Sequence, residues 1–488
     1  MKIKDKHMLF NRFLLAVCLG ALSLQPMAAA QEVPFEDIKV SKNHRYLTHQ
    51  DGKPFFYLGD TAWELFHRLD REEAMHYLKD RAAKGFTVIQ AVAIAELDGI
   101  STGNAYGHLP FIDQDPTKPD TKEGAGNDYW DHVDFIVNEA NKLGLVIGML
   151  PTWGRYWYMG EPPVFNTQNA EIYGRWLAER YKDANIIWIL GGDRNAENDQ
   201  FKAVIRSMAK GIREGDGGKH LITYHPRGGA GSADFFPEDG WMDFNMRQNG
   251  HNNDWSNFSK TYVDYMREPV KPVMDGEPLY EDHPLAFKPD ERSHSVAADC
   301  RRPLYWDLFT GACGHTYGHH SVWQMYDHGK NRRPVNRPLM DWRDALQQPG
   351  AGQMVYAKRL LLSRPYFSRI PASDIVLVPH EAKSAVPGAG SYRFVATADT
   401  DGTYIMVYAP VGRSFTVATS YIKGETLKIW WFDPRTGKSI KAGKVKNEKQ
   451  MTFLSPSPGE LTDWVLVIDD ASKGYPAPGS KELGERDL

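Results

Sequence analysis

Residues 185–195 read NIIWILGGDRN: five consecutive apolar residues rich in β-branched and aromatic types, then two glycines, an aspartate, an arginine and an asparagine. A short unbroken apolar run ending at glycines reads as a strand buried on both faces that opens into a loop holding charge at its carboxyl end. In parallel α/β folds the carboxyl ends of strands are where chemistry is placed. A second stretch, KPVMDGEPLYE at 271–281, has the same form: a short apolar run broken at Gly276, with Glu277 directly after it. The two stretches together predict Asp193 and Glu277 on one rim, facing each other across a cleft.

Working outward, the same punctuation recurs. RYLTHQDGKPFF (45–56) alternates around Asp51-Gly52 as a β-hairpin, and its second strand runs on through Tyr57 and Leu58 to Gly59-Asp60. Residues 71–84 form an amphipathic pattern stopped by Gly85, followed by the strand FTVIQAVA at 86–93. After a long insert rich in Gly, Pro and Asp (96–127), better explained as a cleft wall than as a neutral connection, come a helix at 129–143, the strand LVIGML at 145–150 and a helix at 167–181. Beyond the opening strand, further strands are expected at 221–224, 241–246, 272–275 and 311–316, with helices at 199–212, 255–266, 294–309 and 352–362. Eight strand–helix units over roughly 320 residues predict an α/β fold of the (β/α)8 TIM-barrel class. A doubly wound sheet would carry a Gly-rich phosphate turn after its first strand, and FFYLGDTAWELF is no such turn.

After Arg369 the pattern changes to short strands at 391–397, 403–409, 427–432, 451–454 and 464–468, separated by turn signals and lacking helical periodicity. That predicts a C-terminal antiparallel β-sandwich domain at 366–470, with a disordered tail at 471–488 and the barrel itself at 31–365. The first thirty residues read as a signal peptide: Lys2, Lys4, Lys6 and Arg12, an apolar run from Phe13 to Leu24, then Ala28-Ala29-Ala30 before Gln31. Export to the periplasm or the medium is expected, and no later apolar run reaches the ~20 residues of a membrane span. A formal charge of -4 with dispersed Lys and Arg excludes a nucleic-acid binder. Fourteen Trp and twenty-three Tyr are many for this length, so some of them are expected to line a ligand surface. Cys300 and Cys313, the cysteines left after export, suit either a disulfide or two buried thiols.

Hydrolysis of a glycosidic bond requires one group to protonate the leaving oxygen and another to attack or to activate water, and two carboxyl groups in different environments can divide that work. Asp193 and Glu277, on strands four and seven of one barrel, fit that requirement. Other strand ends supply candidate substrate-binding groups: Asp60, Trp63, Glu96, His225, Arg227, Asn245, Arg247 and His315, with Trp153, Tyr156, Trp157 and Trp323 as sugar-stacking rings. Arg155, Arg194, Arg227 and Arg247 all follow strands, which suits either an acidic sugar or salt bridges along the rim. His315, His319 and His320 invite a metal reading, but adjacent histidines point apart on a strand and no HExxH or carboxylate spacing accompanies them, so neither a metal nor a cofactor is expected.

The runs RYLTHQDGKPFFYLGDTAWELFHRL, GFTVIQ, VFNTQNAEIYGRWLAERYKDANIIWILGGDRN, PVMDGEPLYE and YWDLFTGACGHTYGHHSVWQM resemble the apiosidase-like glycoside hydrolases over about residues 40–365. The carboxyl-terminal part, with LKIWWFDPRTG and WVLVI, resembles a small β-sandwich family labelled collagen-binding. The resemblance implies a (β/α)8 hydrolase of plant cell-wall glycans, in one branch cleaving the link between apiose and galacturonic acid in rhamnogalacturonan-II. It also implies Asp193, in a GGD pattern, as general acid/base and Glu277, in a GE pattern, as nucleophile. Gly192-Asp193 stands where related barrel glycosidases carry Asn-Glu. A carbohydrate-binding protein with a degenerate barrel is the competing expectation, and it would require the pair to be salt-bridged away from the cleft. A protease ranks last, for want of a metal triad or an activated nucleophile.

Overall fold

The computed structural model describes residues 35–486, apart from 161–162, 253–255, 331 and 378–391; the expected signal peptide lies outside the described residues. Eight parallel strands form the central sheet: β1 (Tyr57–Thr61), β2 (Val88–Val92), β3 (Val146–Leu150), β4 (Ile186–Gly191), β5 (Ile222–His225), β6 (Asn245–Arg247), β7 (Val273–Asp275) and β8 (Gly314–Tyr317). Their order is β5-β4-β3-β2-β1-β8-β7-β6. The remaining seam is closed between β5 and β6 by Asp243 N–H to Ile222 O (2.9 Å) and by Thr223 Oγ1 to Phe244 O (2.7 Å). A TIM barrel results, as the sequence predicts.

The helices around it are α1 (Arg71–Ala83), α2 (Tyr129–Lys142), α3 (Thr167–Tyr181), α4 (Asp199–Gly215), α5 (Asn257–Tyr265), α6 (Ala297–Phe309) and α7 (Pro349–Leu362). Their starts are fixed by side chains that satisfy otherwise orphaned N–H groups: Asp70 accepts from Glu73 N, Asp128 from Asp131 N, Asn166 from Asn169 N and Asn198 from Phe201 N. All seven helices expected by position are present, and between β5 and β6, where the sequence predicts none, the described residues hold only the one-turn segment Ser232–Asp234. The hairpin expected at 45–56 is part of a three-stranded antiparallel sheet of Lys39–Val40, Leu47–Thr48 and Pro54–Phe55.

The carboxyl-terminal part is an antiparallel sandwich. Strands β9 (Arg369–Pro371), β10 (Val395–Asp399), β11 (Tyr404–Ala409), β13 (Thr426–Phe432), β14 (Ser439–Lys446) and β16 (Trp464–Asp470) form one sheet in the order β9-β10-β11-β16-β13-β14, and β12 (Gly412–Val417) pairs with β15 (Met451–Gly459). The run YIMVYA in β11 is apolar throughout because both of its faces are covered. Tyr404, Met406 and Tyr408 join the barrel's core, while Ile405, Val407 and Ala409 join the sandwich core. Two bidentate ion pairs cross this contact, Arg301–Asp463 and Arg364–Asp469, and Tyr305 of α6 stacks on Tyr408. The tail expected to be disordered is instead tied down as far as residue 485. Lys428 Nζ donates to Tyr475 O, Gly479 N to Ser363 Oγ, Leu483 N to Leu362 O, and Glu485 accepts from Tyr366 N. Cys300 and Cys313 are two separate buried thiols.

Candidate active site

At the carboxyl end of β4 the chain takes three successive left-handed residues: Gly191 (φ 96°), Gly192 (φ 87°) and Asp193 (φ 58°). Glycine is required at the first two. A Cβ at Gly191 would lie 2.4 Å from His225 O, and one at Gly192 would lie 2.8 Å from Gly154 N. Asp193 follows in the same left-handed region, which aspartate enters more readily than most residues because its short side chain bonds locally. Its N–H donates to His225 Nδ1 (3.2 Å), and its carboxylate accepts from Arg194 Nη1 (2.8 Å).

Glu277 is placed the same way from β7. Gly276 packs so closely that a Cβ would lie 2.5 Å from Met246 Sδ, and its carbonyl accepts from Gln90 Nε2 (2.9 Å) in the barrel interior. The Glu277 carboxylate lies 2.9 Å from His251 Nε2 and 3.0 Å from His225 Nε2, the second contact being too bent to count as a full hydrogen bond. Because His225 Nδ1 accepts from Asp193 N–H, the ring proton belongs on Nε2, toward Glu277. His225 therefore ties the two acidic loops together.

Asp193 and Glu277 share one open pocket of about 120 Å³, lined also by Glu96, Gln248, His251 and His283 and walled by Trp63, Trp153, Tyr280, Phe287 and Trp323. The environments separate the carboxyl groups. Burial would raise the pKa of Glu277, but the imidazole N–H groups of His225 and His251 turned toward it outweigh burial and hold it at about 2. Burial and then the Glu277 charge raise Asp193, against His225 and Arg194. Burial, then Asp193, Glu64 and Glu277, push Glu96 up to about 8. An ionised carboxylate thus stands beside one that retains its proton more readily, the division of labour that glycoside cleavage requires.

Of the sequence-predicted binding residues, Trp63, Glu96, Trp153 and Trp323 line this pocket, and His225 lies behind it between Trp63 and Trp153. The others do not. Asp60 points outward from β1 to the buried Arg81 (2.6 Å) and to Tyr77 of α1. Arg247 points outward to Asp264 of α5 (2.5 Å), and Asn245, two residues earlier on β6, shares that side. His315 turns outward from β8, 3.1 Å from Asp307 of α6. Tyr156 and Trp157 are buried supports, donating to Ala95 O (3.0 Å) and Gly191 O (2.7 Å). Arg227 is exposed on the rim beyond the pocket. Gln248, His251, Tyr280 and His283, which the strand-end argument missed, come from the loops after β6 and β7; the segments RQNGH and YEDH are their only mark in the sequence.

The outward cluster of Asp275, Asp307 and His315 brings one ligand atom from each residue within 4.8 Å of the others, close enough for an ion. Protonation of the two aspartates would ease the contact as well. Burial holds both up to about 7, with Asp307 adding to the shift of Asp275. Folded carboxyl groups raised above their unfolded value stabilise at low pH, and that contribution is lost as pH rises through the folded value. Thermal stability should therefore fall by a few degrees between about pH 4 and about pH 7, and Asp307→Asn should flatten that slope in calorimetry. His251→Ala, by removing a donor from Glu277, should move the acid limb of kcat/KM to higher pH in a pH–rate profile.

Comparison with known proteins places these features in context. Residues 41–368 match the family described as "Apiosidase-like, catalytic domain", and residues 380–469 match "Putative collagen-binding domain of a collagenase". A solved glycoside hydrolase is 35% identical, with 89% of this chain and 97% of that one covered at a TM-score of 0.82. A glycoside hydrolase family 5 structure from Bacteroides vulgatus is 32% identical, with 92% and 96% covered at a TM-score of 0.83. No curated protein matches the sequence.

Proposed function

The chain belongs to the apiosidase-like family of glycoside hydrolases, and from that premise we propose that it cleaves plant cell-wall glycans of pectic type by a retaining mechanism, acting on apiose-bearing side chains such as those of rhamnogalacturonan-II. The observation that carries this reading is the shared pocket in which Glu277 is held ionised by two histidines while Asp193 is pushed the other way. In the first step Glu277 attacks the anomeric carbon as Asp193 gives its proton to the leaving oxygen. In the second, Asp193 takes a proton from the water that releases the sugar. Trp63, Trp153 and Trp323 supply faces for sugar stacking, and Gln248 and His283 supply polar contacts.

Of the four arginines that follow strands, one is left to meet an acidic glycan. Arg155, Arg194 and Arg247 pair with Asp98, Asp193 and Asp264, whereas Arg227 has no carboxylate partner among the described residues and stands exposed. The binding-protein alternative requires the pair to be sequestered away from the cleft, and both carboxyl groups line it. Export through the amino-terminal segment would deliver the enzyme to such polymers. The test is sugar release by residues 31–488 from rhamnogalacturonan-II and from a panel of aryl glycosides, with the anomer formed first read by NMR. Apiose release with retained configuration is the expected result. Release of a different sugar would overturn the apiose assignment, and an inverted first product would overturn the two-step mechanism.

A further inference from the structure

Glu96 is the third acidic residue of the pocket, and the one whose carboxyl group has no hydrogen-bond or ion-pair partner among the described residues. The backbone around it is held: Leu97 N–H donates to Glu64 Oε1 (3.0 Å), Asp98 N–H to Glu96 O (2.9 Å), Trp153 N–H to Ile94 O (3.1 Å) and Tyr156 OH to Ala95 O (3.0 Å). The carboxyl group is a different matter. Among the described residues no hydrogen bond or ion pair reaches it, although it lines the pocket with Asp193 and Glu277.

The nearby cations are committed elsewhere. Arg194 Nη1 bonds the carboxylate and the carbonyl of Asp193. Arg155 Nη1 bonds Asp98 and reaches Glu96 only at its backbone oxygen, 3.5 Å away. His225 and His251 face Glu277, and His67 faces Glu64. Glu96 is thus set among Asp193, Glu277 and Glu64, in a pocket partly walled by indole rings, with no positive charge of its own. A further carboxylate there would be repelled by ionised Glu277 and by Glu64, and only partly exposed to water.

We propose that Glu96 rests as a neutral carboxylic acid and recognises the sugar as a hydrogen-bond donor, giving its O–H to a hydroxyl or ring oxygen of the residue bound above Glu277. The proposal rests on the glycosidase reading of the pocket but assigns Glu96 neither the nucleophile's nor the proton-transferring role. The upward push on Glu96, to about 8, agrees with this state at neutral pH. A donor at this place fits a neutral, hydroxyl-rich sugar in the cleaved position, whose oxygens can accept the O–H.

Two measurements on the full chain test it. Infrared difference spectra of wild type against Glu96→Gln, without substrate, should show a protonated carboxyl stretch at neutral pH that disappears on titration through about 8. A carboxylate signal at neutral pH overturns the proposal whether or not any glycan is cleaved. On a substrate that the wild type hydrolyses, Glu96→Gln keeps a donor and should hold kcat/KM within roughly 3-fold, while Glu96→Ala should lose roughly 10- to 100-fold. Equal losses in the Gln and Ala variants would mean that Glu96 transfers its proton or acts ionised, and the donor role would fall. A wild type inactive on every glycan would sink the substrate reading alone, since the infrared result does not depend on turnover.

Discussion

Replacing Glu277 by alanine should lower kcat by about 10^4-fold or more, at least ~5.5 kcal/mol of transition-state stabilisation, with little change in thermal stability. Two histidines hold this carboxylate ionised at about 2 in a site where burial alone would protonate it, an expenditure of structure that packing does not explain. No neighbouring group can replace it: Asp193 is tied to Arg194, and Glu96 sits on a different loop without a cation. The variant should be rescued in part by azide, which can enter the space left by the side chain. Azide would then attack from the nucleophile's face and give a glycosyl azide of inverted configuration. Initial rates on an aryl glycoside, with and without azide, check both points. Activity within about tenfold of wild type would remove Glu277 from the reaction.

The glycines made this site legible. Gly191-Gly192 and Gly276 are where the backbone must turn left-handed or pass close to a neighbour, and each directly precedes its carboxylate. The strand ends beyond them misled for a physical reason. In a barrel both faces of a strand are covered, so its sequence is apolar throughout and does not show which residues face the axis. Asp60, Arg247 and His315 lie on barrel strands yet turn toward helices, where they meet Arg81, Asp264 and Asp307. The alternation that would have separated them appears only in the assembled fold, as it does for Tyr404, Met406 and Tyr408 against Ile405 and Val407. His251 and His283 sit in loops whose course depends on contacts remote in sequence, such as His251 to Glu277 and Gly250 N to Glu277 O. Strand β14 escaped notice because SIKAGKVK has few apolar residues to alternate, and a lysine-rich strand at a sheet edge is how such edges resist unwanted pairing.

Asp193→Ala should separate two kinds of substrate. On a natural glycan, whose leaving sugar is a poor leaving group, kcat/KM should fall by about 10^2- to 10^4-fold, the usual contribution of a positioned proton donor. On an aryl glycoside with an acidic phenol the first step needs little protonation, so kcat/KM should fall far less. The second step still lacks its base, and kcat should drop as the sugar bound to Glu277 accumulates, visible as a mass increase on the intact protein and as a burst of phenol. Asp193→Asn would keep an acceptor for Arg194 without the acidic proton and should behave like the alanine variant if acid–base chemistry is its role. The Asp193 backbone N–H to His225 Nδ1 survives either change, so the histidine bridge to Glu277 is left in place. An equal loss on both substrates would show that Asp193 acts by shaping the loop rather than by moving a proton. The acid/base role would then pass to another carboxyl group of the pocket, and Glu96 is the one left to take it.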